Sequence, residues 1–394
     1  MRLPTSEELR TKGKSIAGFR SRVVTMSGRV GDAGHELTIV YIGNGINRSF
    51  ISRAVFGGDV SGCEISRCNI WRAGTQAEIY SASADMIVVD VPWPYDITMP
   101  DSRNIIEIPA WVRQVTRLAD SWEGTIASLR KSVRDSQLRK IRKFKLTEAT
   151  TRDPAAVDSF YDNMYKPHVE RRFGGAAHVE SRQHVQACVS AGTLLSVLRD
   201  GEVISACVLL HEGDTLQMLF VGFSAKDLRE IDGASAGLYY YALAYAFQNG
   251  YKRVDFCGSR PFLNDGVLAV KRRWGAGVFD DWSMENLLIQ INKWNPGVEA
   301  FLRDHPVITC QGEKLVGKVL FGDGELTAEF VNKVTRQYVS PGIDSLNICA
   351  AQGIRDDAVQ AAQAASIPVQ LSALGGAGDS ARIYCSPMAG PTGA

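Results

Sequence analysis

The sequence lacks an excess of charge of either sign and lacks any long apolar run. Its 394 residues carry 44 lysines and arginines against 43 aspartates and glutamates, a formal net charge of +1. This balance argues against a general nucleic-acid binder, although a local basic face is compatible with it. No stretch reaches the roughly 18 apolar residues of a membrane-spanning helix, and the charged first residues lack the apolar core of a secretory signal. We therefore expect a cytoplasmic protein without a transmembrane segment.

Cysteines are too sparse to form a disulfide framework. Eight occur in 394 residues, whereas small domains held together by disulfides are much richer in cysteine. Cys63 and Cys68 form the closest pair, but no second Cys or His pair follows at the spacing of a zinc site. We expect small, mostly buried thiols in a reducing compartment, and no metal.

The composition is that of an ordinary globular protein, with 45% hydrophobic and 22% charged residues. At roughly 100–200 residues per domain, the length predicts two or three domains. The predicted fold class is α/β, with a mixed (α+β) sheet. The predicted segments are a lead-in over 1–34, an N-terminal α/β domain over 35–120, a basic connecting helix over 121–145, a second α/β domain over 146–285, a small C-terminal βαβ appendage within 286–375 and a flexible tail over 376–394.

The N-terminal domain begins with a pattern that is typical of nucleotide-binding folds. A strand predicted over 37–42 runs into Gly43-Asn44-Gly45 and a helix over 47–56. However, Arg48 occupies the position of the third glycine in a dinucleotide-binding turn, so we predict a tight turn only. Further strands are predicted over 64–71 and 86–91.

The predicted helix over 121–145 is strongly basic. It holds eight lysines and arginines, among them Arg130 and Arg134, and two acidic residues. Apolar residues recur at helical spacing, so one face packs and the other is cationic. The cationic face is either an ordinary solvated surface or a cradle for the phosphates of a substrate.

The stretch over 145–285 has the predicted element order β-α-α-β-β-β-α-β-α-β. Asp153 and Pro154 start a helix that runs to about residue 165, where Pro167 disturbs it. Asp200-Gly201 predicts a hairpin between central strands, and Asp232 is a good N-cap for the helix that ends at Gly250. The result is a mixed sheet with an antiparallel hairpin at its centre and helices covering it.

After residue 285 the pattern changes to an appendage. A helix over 296–303 is followed by a glycine-rich turn over 321–324 and a helical segment over 325–338. A strand, a helix and a strand are then predicted over 346–350, 355–365 and 368–371.

The segment from Asp255 to Gly266, followed by Lys271-Arg272-Arg273-Trp274-Gly275-Ala276, carries a family resemblance. It is similar to the C-terminal motif of the GNAT-like branch that holds Fem-type peptidoglycan-bridge transferases and CelD-like acetyltransferases. The stretches over 128–134, 160–165 and 171–174 also fit that branch. Cys257, inserted between Phe256 and Gly258, departs from the motif, so the motif does not predict the conformation of the turn at this point. The resemblance implies a GNAT-like acyltransferase fold over 145–285, with the N-terminal domain either a divergent second GNAT-like half or an unrelated α/β module.

The resemblance implies acyl-CoA (acetyl-CoA) as the donor, with no metal. A helix N-terminus can hold a pyrophosphate, and small residues let the backbone approach it. Asp232 would repel a phosphate, so a plainly capped helix is the alternative. The backbone N–H of Val221 or Gly222 would hold the oxyanion. The residues assigned to the donor are Val221, Gly222, Gly233, Ala234, Ser235 and Gly237.

Three residues are assigned to catalysis. In the Fem-type branch the lysine that matches Lys271 neutralises charge near the reacting carbonyl. Asp255 and His211 are candidates to orient a group or to take a proton, while His168 and Glu170 lie in the segment that would cover the acceptor. A water molecule could also accept the proton. The residues assigned to the acceptor are Arg130, Arg134, Arg172, Phe173, Arg260 and Trp274.

The leading hypothesis is transfer of an acyl group from acyl-CoA or acyl carrier protein. The acceptor would be an amino or hydroxyl group of a sugar, nucleotide-sugar or cell-envelope or exopolysaccharide precursor. One alternative is an aminoacyl transferase that uses charged tRNA, bound through the basic helix. A second alternative is a catalytically silent binding or scaffold subunit of polysaccharide assembly. The expected partner is thus a small molecule or glycan precursor, with tRNA as the alternative and no DNA.

Overall fold

The computed structural model describes residues 20–374, apart from 44, 59, 61, 93–96, 175–178, 225–232 and 281–284, and also residues 380, 384 and 385. The strands of this part of the chain form three sheets of six, seven and four strands. None of its helices is long and apolar enough to cross a bilayer. The mixed α/β architecture agrees with the predicted fold class.

The six-stranded sheet is built mainly from the N-terminal part of the chain. Its strands are β1 (Arg20–Val30), β2 (His35–Gly43), β3 (Cys63–Asn69), β4 (Met86–Pro92), β5 (Ile105–Pro109) and β13 (Glu285–Ile291), in the order β3-β1-β2-β4-β13-β5. Helices α1 (Ile46–Phe56) and α2 (Ala73–Tyr80) belong to the same region. The prediction of a lead-in is wrong for β1, which pairs with β2 along its length and buries Val23, Val24 and Met26.

The seven-stranded sheet contains the predicted mixed sheet. Its strands are β6 (Val112–Arg117), β7 (Thr147–Thr151), β8 (Gly192–Arg199), β9 (Glu202–Glu212), β10 (Thr215–Phe223), β11 (Arg253–Ser259) and β12 (Gly277–Asp280), in the order β12-β6-β11-β10-β9-β8-β7. Strands β10 and β11 are parallel, and the other neighbours are antiparallel. Strand β6 joins this sheet although it lies within the predicted N-terminal domain.

The predicted basic helix is not continuous. Helix α3 (Trp122–Ser128) ends at Leu129, whose extended backbone interrupts the helical path, and a π-helical turn (Val133–Gln137) leads into α4 (Leu138–Lys143). Leu129, Val133 and Ile141 are nevertheless buried in the same core.

The helix that was predicted to end near residue 165 continues. Helix α5 (Pro154–Phe160) passes through a π-helical turn (Tyr161–Tyr165) into α6 (Lys166–Phe173). Pro167 lies in the first turn of α6, where the missing N–H costs little. The π-helical turn before it is a single-turn bulge of the kind that occurs inside α-helices.

The remaining helices cover the sheets. They are α7 (Arg182–Ser190), α8 (Ala234–Gln248), α9 (Gly266–Arg273), α10 (Pro296–Asp304), α11 (Ala328–Tyr338) and α12 (Asp356–Gln363). The predicted N-cap at Asp232 lies outside the described residues. Gly233, at a positive φ of 93°, precedes α8 instead.

The four-stranded sheet forms the C-terminal part. Its strands are β14 (Val307–Gln311), β15 (Lys314–Phe321), β16 (Ser345–Ala350) and β17 (Val369–Ala373), in chain order. The succession β16-α12-β17 is the predicted strand–helix–strand unit. Strands β14 and β15 were not predicted from the sequence. They form an antiparallel hairpin, and β15 pairs in parallel with β16.

Candidate active site

A cleft opens where β10 and β11 diverge. The two parallel strands are paired only from Thr215–Gln217 to Arg253–Asp255. Beyond that point each strand has an irregularity, with Phe220 at φ 48° and Cys257 at φ 63°. Bulges of this kind bend a strand away from its neighbour. The resulting cleft has a volume of about 380 Å³ and is lined from α6, β10, α8, β11 and α9.

Lys271 forms part of the wall of this cleft. Helix α9 begins at an N-cap, where Asp265 accepts a hydrogen bond from the Leu268 N–H at 2.8 Å, and the helix carries Lys271 inward. The Lys271 ammonium donates to the carbonyl oxygens of Gly258 at 2.7 Å and Cys257 at 3.2 Å. Only 7% of the residue is exposed. Burial is the main cause that lowers the pKa of Lys271 to about 8, and the nearby Arg172 lowers it further.

Asp255 supports the bulge that holds Lys271. Its carboxylate accepts from the Cys257 N–H at 2.8 Å and from the Arg113 guanidinium, and the residue is 1% exposed. Adjacent residues of a strand face opposite sides of the sheet, and here Phe256 lines the cleft while Asp255 lines a separate cavity. Asp255 thus fixes the backbone carbonyls that Lys271 contacts. The structure does not bring its carboxylate into the cleft.

His211 is not brought to the cleft. It pairs with Leu216 at the closed end of the β10–β11 pair, away from the splay. Its ring packs against Tyr245 and Tyr251, and its Nε2 lies 3.5 Å from the Tyr245 hydroxyl. Burial, and to a smaller extent Arg152, lowers the pKa of His211.

The structure brings only some of the residues assigned to the donor into the cleft. Val221 and Ser235 line the cleft. Gly222 packs tightly against the π-helical turn, because a Cβ at this position would lie 2.7 Å from the Tyr165 nitrogen. Gly237 faces β8 instead, where a Cβ would lie 2.7 Å from Val197.

The other two donor residues lie at the start of α8. Gly233 has the left-handed backbone that precedes the helix. Ala234 is buried, and its carbonyl accepts from the Ser205 hydroxyl at 3.0 Å. Both therefore help to form the N-terminus of the helix that carries Ser235 into the cleft.

Of the residues assigned to the acceptor, Arg172 lines the cleft and the side chain of Phe173 lies outside the described residues. Arg130 donates to the carbonyls of Arg336 and Val339, so it ties its segment to the C-terminal part. Arg134 is exposed on the π-helical turn Val133–Gln137. Neither of these two arginines is among the residues that line the cleft.

Arg260 and Trp274 are held in packed positions. The guanidinium of Arg260 lies over the rings of Trp111 and Phe50 and donates to the Asn47 side-chain oxygen at 2.7 Å. Trp274 is 3% exposed and stacks on Tyr239, with ring centroids 5.5 Å apart. Trp274 therefore supports the wall of the cleft through Tyr239, which lines it.

The aromatic and aliphatic wall of the cleft was not predicted. Phe220, Phe223 and Leu238 line it, together with His168 from α6. His168 packs edge-on against Phe223, with ring centroids 4.9 Å apart. Burial first, and then Arg172 and Arg171, lower the pKa of His168 to about 4, so the imidazole is neutral at neutral pH. Among the described residues that line the cleft, none is an aspartate or a glutamate.

A cation that is fixed beside a cleft can stabilise negative charge that develops on a bound group. Residues 127–263 match the family model of the acetyltransferase (GNAT) domain. The chain therefore carries a GNAT domain and is an acyltransferase, which confirms the resemblance seen in the sequence. Lys271 lies just beyond the matched residues, so its role stays a prediction.

Solved structures with a similar arrangement have low sequence identity. FemX is 15% identical with a TM-score of 0.39, covering 70% of this chain and 89% of its own. L-PGS from Bacillus licheniformis is 8% identical with a TM-score of 0.33, covering 76% and 96%. A GCN5-related N-acetyltransferase from Sphaerobacter thermophilus is 11% identical with a TM-score of 0.32, covering 72% and 84%. No curated protein matches the chain in sequence.

Proposed function

We propose that the chain transfers an acyl group from acyl-CoA or an acyl carrier protein to an amino or hydroxyl group. The acceptor in this proposal is a sugar, a nucleotide-sugar or another precursor of the cell envelope or of an exopolysaccharide. The observation that carries the proposal is the position of Lys271, buried in the wall of the cleft with its ammonium held by two backbone carbonyls.

Lys271 has the right donors for the oxyanion of a thioester reaction. An ammonium has three N–H donors, and two of them contact the carbonyls of Cys257 and Gly258. This leaves one N–H for a reacting oxygen. When the nucleophile attacks the thioester carbonyl, negative charge develops on that oxygen, and a fixed cation in a dry site stabilises it. The tetrahedral intermediate then collapses and its C–S bond breaks. The proton that the nucleophile gives up passes through water to the departing thiolate, which leaves as the thiol.

The charge of the cleft favours an acyl donor over an aminoacyl donor. Arg172 and Lys271 are both cationic, and none of the described residues that line the cleft is acidic. An aminoacyl group carries its own ammonium, which these two cations would repel. A simple acyl group is uncharged, so the two cations do not repel it. Charged tRNA therefore stays the alternative donor, with this electrostatic argument against it.

The thiols support a reducing compartment as the place of the reaction. All eight cysteines lie in the described part of the chain and are free. Most of them are buried, where they behave as small apolar side chains. We place the reaction in the cytoplasm on this basis.

A thiol-release assay tests the proposal. Purified protein is incubated with acyl-CoA donors and candidate amine or hydroxyl acceptors, and free thiol is measured over time. Lys271→Met should lower kcat about 100-fold or more, since loss of one oxyanion donor has that size of effect. Lys333→Met on the exposed face of α11 is the matched control and should change nothing. The proposal is wrong if no thioester is bound or consumed, and a silent binding subunit then becomes the better hypothesis.

A further inference from the structure

Most of the residues that line the cleft are apolar. Strand β10 contributes Phe220, Val221 and Phe223, and the facing helices contribute Leu238, Val267 and Val270. These side chains come from three separate elements, so the apolar surface is not confined to one strand or helix. A surface of this kind gains free energy when it meets another apolar group and excludes water.

Several of the polar groups that line the cleft are engaged within the protein. Lys271 donates to two carbonyls, and the hydroxyl of Tyr165 accepts from the Glu180 N–H at 3.1 Å. His168 presents the edge of a neutral ring packed on Phe223. A sugar in this space would meet mostly apolar side chains, with the hydroxyls of Ser235 and Tyr239 and the third Lys271 N–H among the few polar groups near it. Most of its buried hydroxyls would lack partners, at a cost for each of them. An alkyl chain has no such groups.

The space is much larger than an acetyl group. Its volume is about 380 Å³, whereas an engineered apolar cavity of about 150 Å³ holds the six carbons of a benzene ring. In proportion, the cleft could hold at most roughly fifteen carbons. An acetyl group would leave most of the apolar wall in contact with water.

From these observations we infer that the donor carries an alkyl acyl chain of about six carbons or more, which lies in the cleft between β10, α8 and α9. The sugar or amine acceptor then meets the carbonyl at the mouth of the cleft and does not enter the apolar space. This inference rests on the proposed acyl transfer and specifies its donor.

Binding of a chain-length series tests the inference. Acetyl-, butanoyl-, octanoyl- and dodecanoyl-CoA are titrated into the full-length protein, and dissociation constants are measured by calorimetry. Each fully buried methylene tightens binding about fourfold. Because part of the chain stays in contact with solvent, we expect octanoyl-CoA to bind at least tenfold more tightly than acetyl-CoA.

A substitution in the wall makes the test specific. Val270→Phe fills part of the cleft, and the ratio of dodecanoyl to acetyl affinity should fall at least tenfold. Val267→Phe, on the same face of α9, is a second variant in case the first does not fold. Val359→Phe is the matched control, because Val359 is 40% exposed on α12. It should leave the ratio unchanged.

The outcomes separate this inference from the proposed function. If acetyl-CoA binds as tightly as octanoyl-CoA, or if Val270→Phe and Val267→Phe leave the ratio unchanged, the long chain is excluded while acyl transfer still stands. If no CoA thioester of any length binds or reacts, the proposed function fails and the inference fails with it.

Discussion

The guanidinium carbon of Arg260 lies 3.6 Å from the ring centroid of Trp111. This contact joins the loop after β11 to the segment between β5 and β6. Arg260 also donates to Asn47, whose amide in turn donates to the buried carboxylate of Asp90 at 3.1 Å. Asn47 and Phe50 lie on α1 and Trp111 follows β5, so the residues that hold Arg260 come from the N-terminal part of the chain. Arg260 itself follows directly after the strand whose carbonyls contact Lys271.

Arg260→Lys should destabilise the protein. The lysine cannot keep both the flat contact on the two rings and the hydrogen bond to Asn47. We expect the free energy of unfolding to fall by about 1–3 kcal/mol, measured by urea denaturation. Arg134→Lys, at an exposed arginine, is the control and should stay within about 0.5 kcal/mol of wild type. An equal effect of both substitutions would contradict the role given to the Arg260 contacts.

The activity should depend on the charge of Lys271. Its pKa is lowered to about 8, so the ammonium is present below that pH and is lost as the pH rises through it. We expect kcat/KM to fall about tenfold per pH unit above pH 8. Lys271→Arg keeps a positive charge at every accessible pH. The ratio of wild-type to Lys271→Arg activity should therefore fall above pH 8, and a flat ratio between pH 7 and 10 would contradict this role.

The positive φ of Cys257 predicts how substitutions at this inserted residue change the stability of the protein. At φ 63° a glycine is unstrained, whereas a β-branched residue is an outlier. Cys257→Gly should keep the free energy of unfolding within about 1 kcal/mol of wild type and retain activity, because the carbonyl that contacts Lys271 remains. Cys257→Val should lose about 1–3 kcal/mol. Thermal and urea unfolding of both variants decide the point, and equal stability would show that the backbone here is not constrained.

The sequence was informative wherever one local pattern decided the structure. The hairpin at Asp200-Gly201 and the unit β16-α12-β17 follow from turn residues and hydrophobic periodicity alone. The hairpin of β14 and β15 was missed because its glycine-rich neighbourhood resembles a loop. Strand β1 was missed for a similar reason, since it has polar residues between its buried positions and becomes a strand through pairing with β2 and β3.

The candidate site was predictable only in part, because its geometry depends on which ends of the strands diverge. Lys271 was found from a motif, and the structure places it in the cleft. His211 was assigned from its position at a strand end, but the turn after it brings that end to the closed side of β10 and β11. Asp255 was assigned from the same motif as Lys271, and the alternation of the strand turns its side chain away. Neither fact is visible until the strand order is known.

His168 should make the protein less stable at acid pH. Its pKa is about 4 in the folded protein, below the ordinary value of 6.5, because the buried ring disfavours the charged form. The unfolded chain therefore takes up this proton first as the pH falls. The contribution of the neutral ring is complete above pH 6.5 and is lost as the pH falls through 4, to a total of about 3 kcal/mol.

His168→Gln removes this titration and retains a neutral polar side chain. The difference in free energy of unfolding between wild type and variant should be constant above pH 6.5 and shift in favour of the variant between pH 6.5 and 4. His35→Gln, at the half-exposed start of β2, is the matched control for the loss of a histidine outside the cleft. Urea unfolding at four pH values from 7 to 4 measures both. Parallel curves for wild type and His168→Gln would show that the ring at this position titrates normally, and that the cleft is more open to water than its apolar wall implies.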